Sequence, residues 1–117
     1  MQPFTALRAP ALPLPLANVD TDQIIPARFL ARPREEQRGA CFHDLRLDET
    51  GAPRPGFPMN RPEFAGARIL VARRNFGCGS SRESAVTTLV DKGFRAFVAP
   101  SFGDIFFNNC FQNGALP

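Results

Sequence analysis

Apolar positions fall into two rhythms in the last third of the chain. The run Arg68-Ile-Leu-Val-Ala72 is apolar and β-branched, which predicts a buried strand. Ala85, Val86, Leu89 and Val90 recur at helical spacing, and Lys92-Gly93 supplies a basic last turn followed by a C′ glycine. Arg95-Ala-Phe-Val-Ala99 predicts a second strand. A second helix is expected after Ser101, with Phe102, Ile105, Phe106, Cys110 and Phe111 on its apolar face and an end at Asn113-Gly114. Strand, turn, helix and strand in this order form a crossover unit of an α/β fold if the two strands are parallel in one sheet.

The pattern is weaker upstream. Residues 1 to about 30 read as an extended lead-in, including Ala9 to Ala17 with its alternating prolines, followed by the loop NVDTDQIIP, Asn18 to Pro26. Residues 31 to 66 contain ARPREEQRG and ETGAPRPG and are expected to be mostly loop. With the strand and helix alternation of 67 to 117, and with no internal repeat, this makes a single domain over 1–117.

Composition narrows the classes of function. The chain has 117 residues and 44% hydrophobic content, enough for one modest core. Net charge is +3, and 13 of the 14 basic residues are arginine, the better residue for gripping planar carboxylates. The arginines are scattered and there is no Trp or Tyr to stack bases, which argues against nucleic acid as a partner. No apolar run approaches the ~20 residues of a membrane span. Ala9 to Ala17 is broken by prolines and follows no basic cluster, so it reads as an entry segment of a cytoplasmic protein rather than a signal peptide. Cys41, Cys78 and Cys110 are odd in number and widely spaced, giving neither a disulfide framework nor a metal knuckle, so no metal is expected on this chain.

The candidate chemistry sits between the first predicted strand and helix, in NFGCGSSRE, Asn75 to Glu83. Gly77 and Gly79 can take positive φ and let a ligand approach the backbone, while the free N–H groups of a first helical turn suit a carboxylate or phosphate. A structural reading stands beside this one: Ser80 as N-cap and Glu83 at N3 would form a capping box. Other catalytic loops fit worse. There is no Walker A lysine, no glycine two residues past Ser81 for a nucleophile elbow, and Arg82 stands where a dinucleotide fingerprint needs its third glycine. In NVDTDQIIP the alternation of Asn18, Asp20 and Asp22 suggests a calcium loop, but Gln23 and Phe29 occupy the required glycine and glutamate positions. An Asx-rich turn is the structural alternative.

Taken in order, NVDTDQIIP, NFGCGSSRE, GFRAFVAPSFGDIF (Gly93 to Phe106) and NNCFQNG (Asn108 to Gly114) resemble the small subunit of 3-isopropylmalate dehydratase, a member of the aconitase superfamily. The resemblance implies an aconitase-type swivelling domain of layered β/β/α form. It also implies a hydro-lyase that moves a hydroxyl between neighbouring carbons of a branched malate by dehydration and rehydration, in leucine biosynthesis. On this resemblance Ser80 matches the catalytic base, Arg82 the carboxylate clamp, and Ser81, Thr21 and Asp22 further substrate contacts. Arg28 and Arg32 fall in the stretch that resembles the loop selecting the substrate's side group. The resemblance places a 4Fe–4S cluster on a separate large subunit, the expected partner, and makes the substrate a small dicarboxylate. A methylmalate-type or homoaconitate-type isomerase, or a non-catalytic anion-binding or assembly module, remains the alternative.

Two departures from the family pattern stand out. Ser84 occupies the place of a histidine in SREH, and the chain ends at Ala115-Leu116-Pro117, inside what resembles the next strand. The domain is therefore expected to be incomplete at its C-terminus, with exposed sheet edge and apolar surface.

Overall fold

The structure is a computed structural model that describes residues 6–117; residues 1–5 of the predicted lead-in lie outside the described residues. Three strands, β1 (Ala11–Leu14), β2 (Ile69–Ala72) and β3 (Ala96–Val98), form one parallel sheet in the order β1-β2-β3. The predicted crossover is present, with helix α4 (Glu83–Lys92) linking β2 to β3. Gly93 closes α4 at φ 123°, as its place after the basic last turn predicts.

β1 arises from the proline-rich lead-in. Alternation in Ala-Leu-Pro-Leu turns Leu12 and Leu14 inward, and Pro13, which has no N–H to donate, is tolerated because β1 lies at the sheet edge. The register aligns Leu12, Leu70 and Phe97 on one buried rung, and Pro13, Val71 and Val98 on the next. That second rung faces out, with Val98 54% exposed. The expectation of a buried β2 is therefore corrected: the strand alternates, and only one of its faces is covered. Beyond β3, the Phe97 N–H donates to the Leu116 carbonyl at 2.8 Å and the Leu116 N–H to the Arg95 carbonyl at 2.9 Å, so the last described residues pair in parallel with the β3 edge.

The buried face of the sheet shares one core with Ala85, Val86 and Leu89 of α4 and with Phe106 and Cys110 of helix α5 (Asp104–Gln112). Phe76, Phe97 and Phe106 form its centre, with Phe106 edge-on to Phe76 at 5.3 Å and to Phe97 at 5.5 Å. The predicted apolar face of α5 is narrower than its sequence suggests. Phe106 and Cys110, one helical turn apart, reach the core and Phe102 is half-buried, whereas Ile105 and Phe111 lie outside it, Phe111 being 52% exposed. Only one line of α5 touches the sheet layer.

The region expected to be mostly loop is so at ETGAPRPG, but ARPREEQRG is corrected, since a helix forms within it. The region holds two four-residue helices, α2 (Arg34–Gln37) and α3 (His43–Arg46), with several 3-10 turns around them. One more, α1 (Thr21–Ile24), lies within NVDTDQIIP. The Phe42 N–H donates to the Ile24 carbonyl at 2.8 Å, which seats α3 against α1. The Thr88 hydroxyl donates to the Gln37 carbonyl at 2.7 Å, which ties the α2 region to α4.

Candidate functional site

The two polar motifs meet although they lie far apart in sequence. The Gly77 N–H donates to the Val19 carbonyl at 2.7 Å, and the Thr21 N–H donates to the Cys78 carbonyl at 2.8 Å. The buried Thr21 hydroxyl donates to the Ser80 carbonyl at 3.0 Å. These bonds keep the chain extended past Ser80, so α4 cannot begin until Glu83, with Arg82 at its N-cap. The capping box expected from Ser80 and Glu83 is therefore absent. A capping box forms instead at α1, where Asp20 accepts from the Gln23 N–H at 2.8 Å and the Gln23 side chain accepts from the Asp20 N–H at 3.0 Å. The sequence spacing Asp-x-x-Gln carries that signal.

Freed from capping, Ser80 and Ser81 are exposed, and their hydroxyls make no hydrogen bond among the described residues. Arg82 is held from the other motif. Its Nη1 donates to Asp22 Oδ1 at 3.1 Å and to the Ile25 carbonyl at 3.0 Å. The Arg82 side chain is only 16% exposed and that of Asp22 65%, so the guanidinium is set into the surface and the carboxylate stands at its rim. The hydrogen bond from Arg82, reinforced by the Ala27 N–H, holds the Asp22 carboxyl below its usual range. Nε and Nη2 of Arg82 make no hydrogen bond among the described residues, which leaves two donors of the fork for an anion.

The glycines of the corner have different tasks. Gly77 has φ 79°, and a Cβ there would lie 2.3 Å from Phe106 Cγ, so its lack of a side chain makes room for the core. The positive φ expected at Gly77 is thus present, and the core is one reason for its missing side chain. Gly79 has φ 95° and is exposed, beside Asp20 and Thr21. Asn18 and Asn75, each with positive φ, join the two motifs at their base, the Asn75 side-chain amide donating to Asn18 Oδ1 at 3.0 Å.

Of the predicted site residues, Ser80, Ser81, Arg82, Thr21 and Asp22 lie together. The Thr21 hydroxyl, however, is engaged with the Ser80 carbonyl. Arg28 and Arg32 lie on the segment after Asp22, both stacked on the Phe29 ring at 4.8 and 4.7 Å. Arg28 is also paired with Asp44, a residue the motifs do not point to. Ser84 is half-buried in the first turn of α4, and its carbonyl accepts from the Thr87 hydroxyl at 3.4 Å.

Among the described residues no group of three or more His, Cys, Asp or Glu is placed to hold a metal ion. Cys41 and Cys110 are buried, and burial pushes both thiols up to about 12. No helix among the described residues is long and apolar enough to cross a membrane.

Crossover topology, a glycine corner and an arginine held by a distant aspartate define an α/β domain with a polar corner between β2 and α4. The family model "Aconitase C-terminal domain" matches residues 1–117, and the chain belongs to that family; its fold is the aconitase-type swivelling domain. The chain is 57% identical to the 3-isopropylmalate dehydratase small subunit of Phenylobacterium zucineum, 55% to that of Rhodospirillum centenum and 54% to that of Geobacillus kaustophilus. In each case the match covers 100% of this chain, and 58%, 58% and 60% of the relative, so the chain spans about three-fifths of the length of these curated relatives. The crystal structure of a 3-isopropylmalate dehydratase from Methanocaldococcus jannaschii is similar, with a TM-score of 0.63 and 35% identity, over 86% of this chain and 54% of that one.

Proposed function

We propose that the chain acts as the substrate-gripping small subunit of a 3-isopropylmalate dehydratase. In this reading it helps interconvert 2- and 3-isopropylmalate by dehydration and rehydration in leucine biosynthesis, in the cytoplasm. The observation that carries the reading is the state of Arg82. Its Nη1 is fixed by Asp22 and Ile25 while Nε and Nη2 stay available, next to two unengaged serine hydroxyls.

The chemistry follows from what the reaction needs. Negative charge builds on a substrate carboxylate as a proton leaves the neighbouring carbon, and a preorganised cation at that carboxylate stabilises the transition state more than the ground state. Arg82 is that cation, its orientation set by Asp22. Ser80 takes the proton from carbon. A free serine hydroxyl is a weak base, so its oxygen needs the positive end of α4 and the Arg82 charge nearby. Thr21 fixes the Ser80 backbone, and Ser81 adds a hydrogen bond to the clamped carboxylate.

In this reading the 4Fe–4S cluster that the reaction requires sits on a separate large subunit, the partner. The test is to mix the chain with a cluster-bearing large subunit and follow the alkene diacid by absorbance. Turnover is expected only in the mixture and is lost in Ser80→Ala. Turnover by the chain alone, or undiminished turnover in Ser80→Ala, would overturn the reading.

A further inference from the structure

The segment that follows Asp22 is clamped to α3 by a polar cluster outside both motifs. Arg28 donates through Nη1 to Asp44 Oδ2 at 2.9 Å and through Nη2 to Asp44 Oδ1, a bidentate pair. His43 Nδ1 lies 3.0 Å from the same Oδ1, and the His43 ring packs against Phe29 with centroids 4.9 Å apart. Phe29 is thus enclosed by His43, Arg28 and Arg32. Asp44 therefore reaches the short 3-10 turn Ala27–Phe29 by two routes, directly through Arg28 and through His43, whose ring lies on Phe29.

This turn adjoins the site directly. The Ala27 N–H donates to Asp22 Oδ1 at 3.1 Å, the same oxygen that holds Arg82. A displacement of residues 27–29 therefore moves an acceptor on which the Arg82 orientation depends. Both Nη atoms of Arg28 are given to Asp44, so Arg28 acts as a strut between the turn and α3.

We propose that Asp44, backed by His43, is a positioning residue: it locks Arg28 and the 27–29 turn so that Asp22 presents Arg82 in one orientation. The inference rests on the proposed function for its effect on turnover, but the lock itself is independent of that reading. Exposed ion pairs add little to global stability, so the lock should act locally and leave the fold intact.

Asp44→Asn tests it without a change of shape. Amide hydrogen exchange on the chain should quicken about tenfold or more at Phe29, Leu30 and Arg32, whose N–H groups donate to the Pro26, Ala27 and Phe29 carbonyls, while α4 and β2 amides keep their rates. In the complex with a large subunit, KM should rise about threefold to tenfold with kcat within about twofold. The exchanged pair Arg28→Asp with Asp44→Arg should recover most of both effects. Unchanged exchange at the turn in Asp44→Asn would overturn the lock whatever the activity. Faster exchange with an unchanged KM would overturn its positioning role. A wild-type complex that turns over no diacid counts against the proposed function, and the exchange rates then decide the lock alone.

Discussion

Arg82 and Asp22 lie 60 residues apart in sequence and meet at 3.1 Å across the junction of two motifs. The pair orients the cation without using up its fork. The carboxylate engages one terminal nitrogen, the Ile25 carbonyl shares that nitrogen at 3.0 Å, and the remaining donors are left for a ligand.

A lysine cannot reproduce this division of labour, because a single ammonium on a flexible stem must choose between Asp22, Ile25 and the substrate. Arg82→Lys is expected to lower kcat/KM by a factor that corresponds to about 2 kcal/mol or more, and Asp22→Asn by about threefold to tenfold. Steady-state kinetics of the reconstituted complex measure both. An Arg82→Lys complex with wild-type kcat/KM would remove the clamp.

Gly77→Ala should be among the most destabilising single substitutions in the chain. It places a Cβ 2.3 Å from Phe106 Cγ and holds alanine at φ 79°, so clash and strain act together. A loss of about 3 kcal/mol is expected. Urea unfolding reports it as a lower midpoint; a wild-type midpoint would contradict the packing described for the corner.

The three cysteines should divide sharply under a thiol reagent. Cys78 is half-buried and borders an open recess with Gly79 and Gly103, whereas Cys41 and Cys110 are buried and their thiols lie at about 12. At pH 8 one thiol is expected to react under native conditions and three in denaturant. Rapid native labelling at Cys41 would show that its site opens.

Acid should weaken the fold only slightly through its paired aspartates, because the Asp22 and Asp44 pairs are exposed. Asp22, held down by Arg82 and the Ala27 N–H, Asp44 by Arg28 and His43, and Asp48 by the Thr50 hydroxyl and neighbouring amides, all titrate below their usual values. The unfolded chain therefore binds more protons in the acid range, and stability rises with pH there. The contribution is complete above the ordinary aspartate value of about 4 and is lost as pH falls through the folded values. Thermal melts should be nearly flat from about pH 5 to 8 and fall below about pH 4. A Tm that holds to pH 2.5 would show that these pairs do not couple to folding.

How much of this was legible in the sequence depended on how local each determinant is. α4 and its Gly93 stop, and the strands around Ile69 and Phe97, follow from periodicity within a few residues and appear where expected. β1 was legible only as an extended segment, because its identity as a strand comes from pairing with β2. The outward rung of Pro13, Val71 and Val98 could not be read from composition, since an apolar run looks the same with one face covered or two. At the site, the residue types were plain but their tasks were not. Ser80 looks like a cap until Thr21 is seen to hold its carbonyl, and the packing of Phe106 against Gly77 could not be read from the glycine motif. Asp44 gave no local signal, for its significance lies in Arg28.

The Thr21 hydroxyl that holds the Ser80 carbonyl spans 59 residues of chain. Such a contact forms only after a long loop has closed, at an entropic cost that local helices do not bear. The corner is thus expected to complete late in folding, and a peptide from Asn75 to Lys92 lacks the Thr21 and Asp22 that shape it. On the proposed function, ligand affinity at Arg82 would report completion of the whole α/β assembly, which a far-ultraviolet helix signal would not.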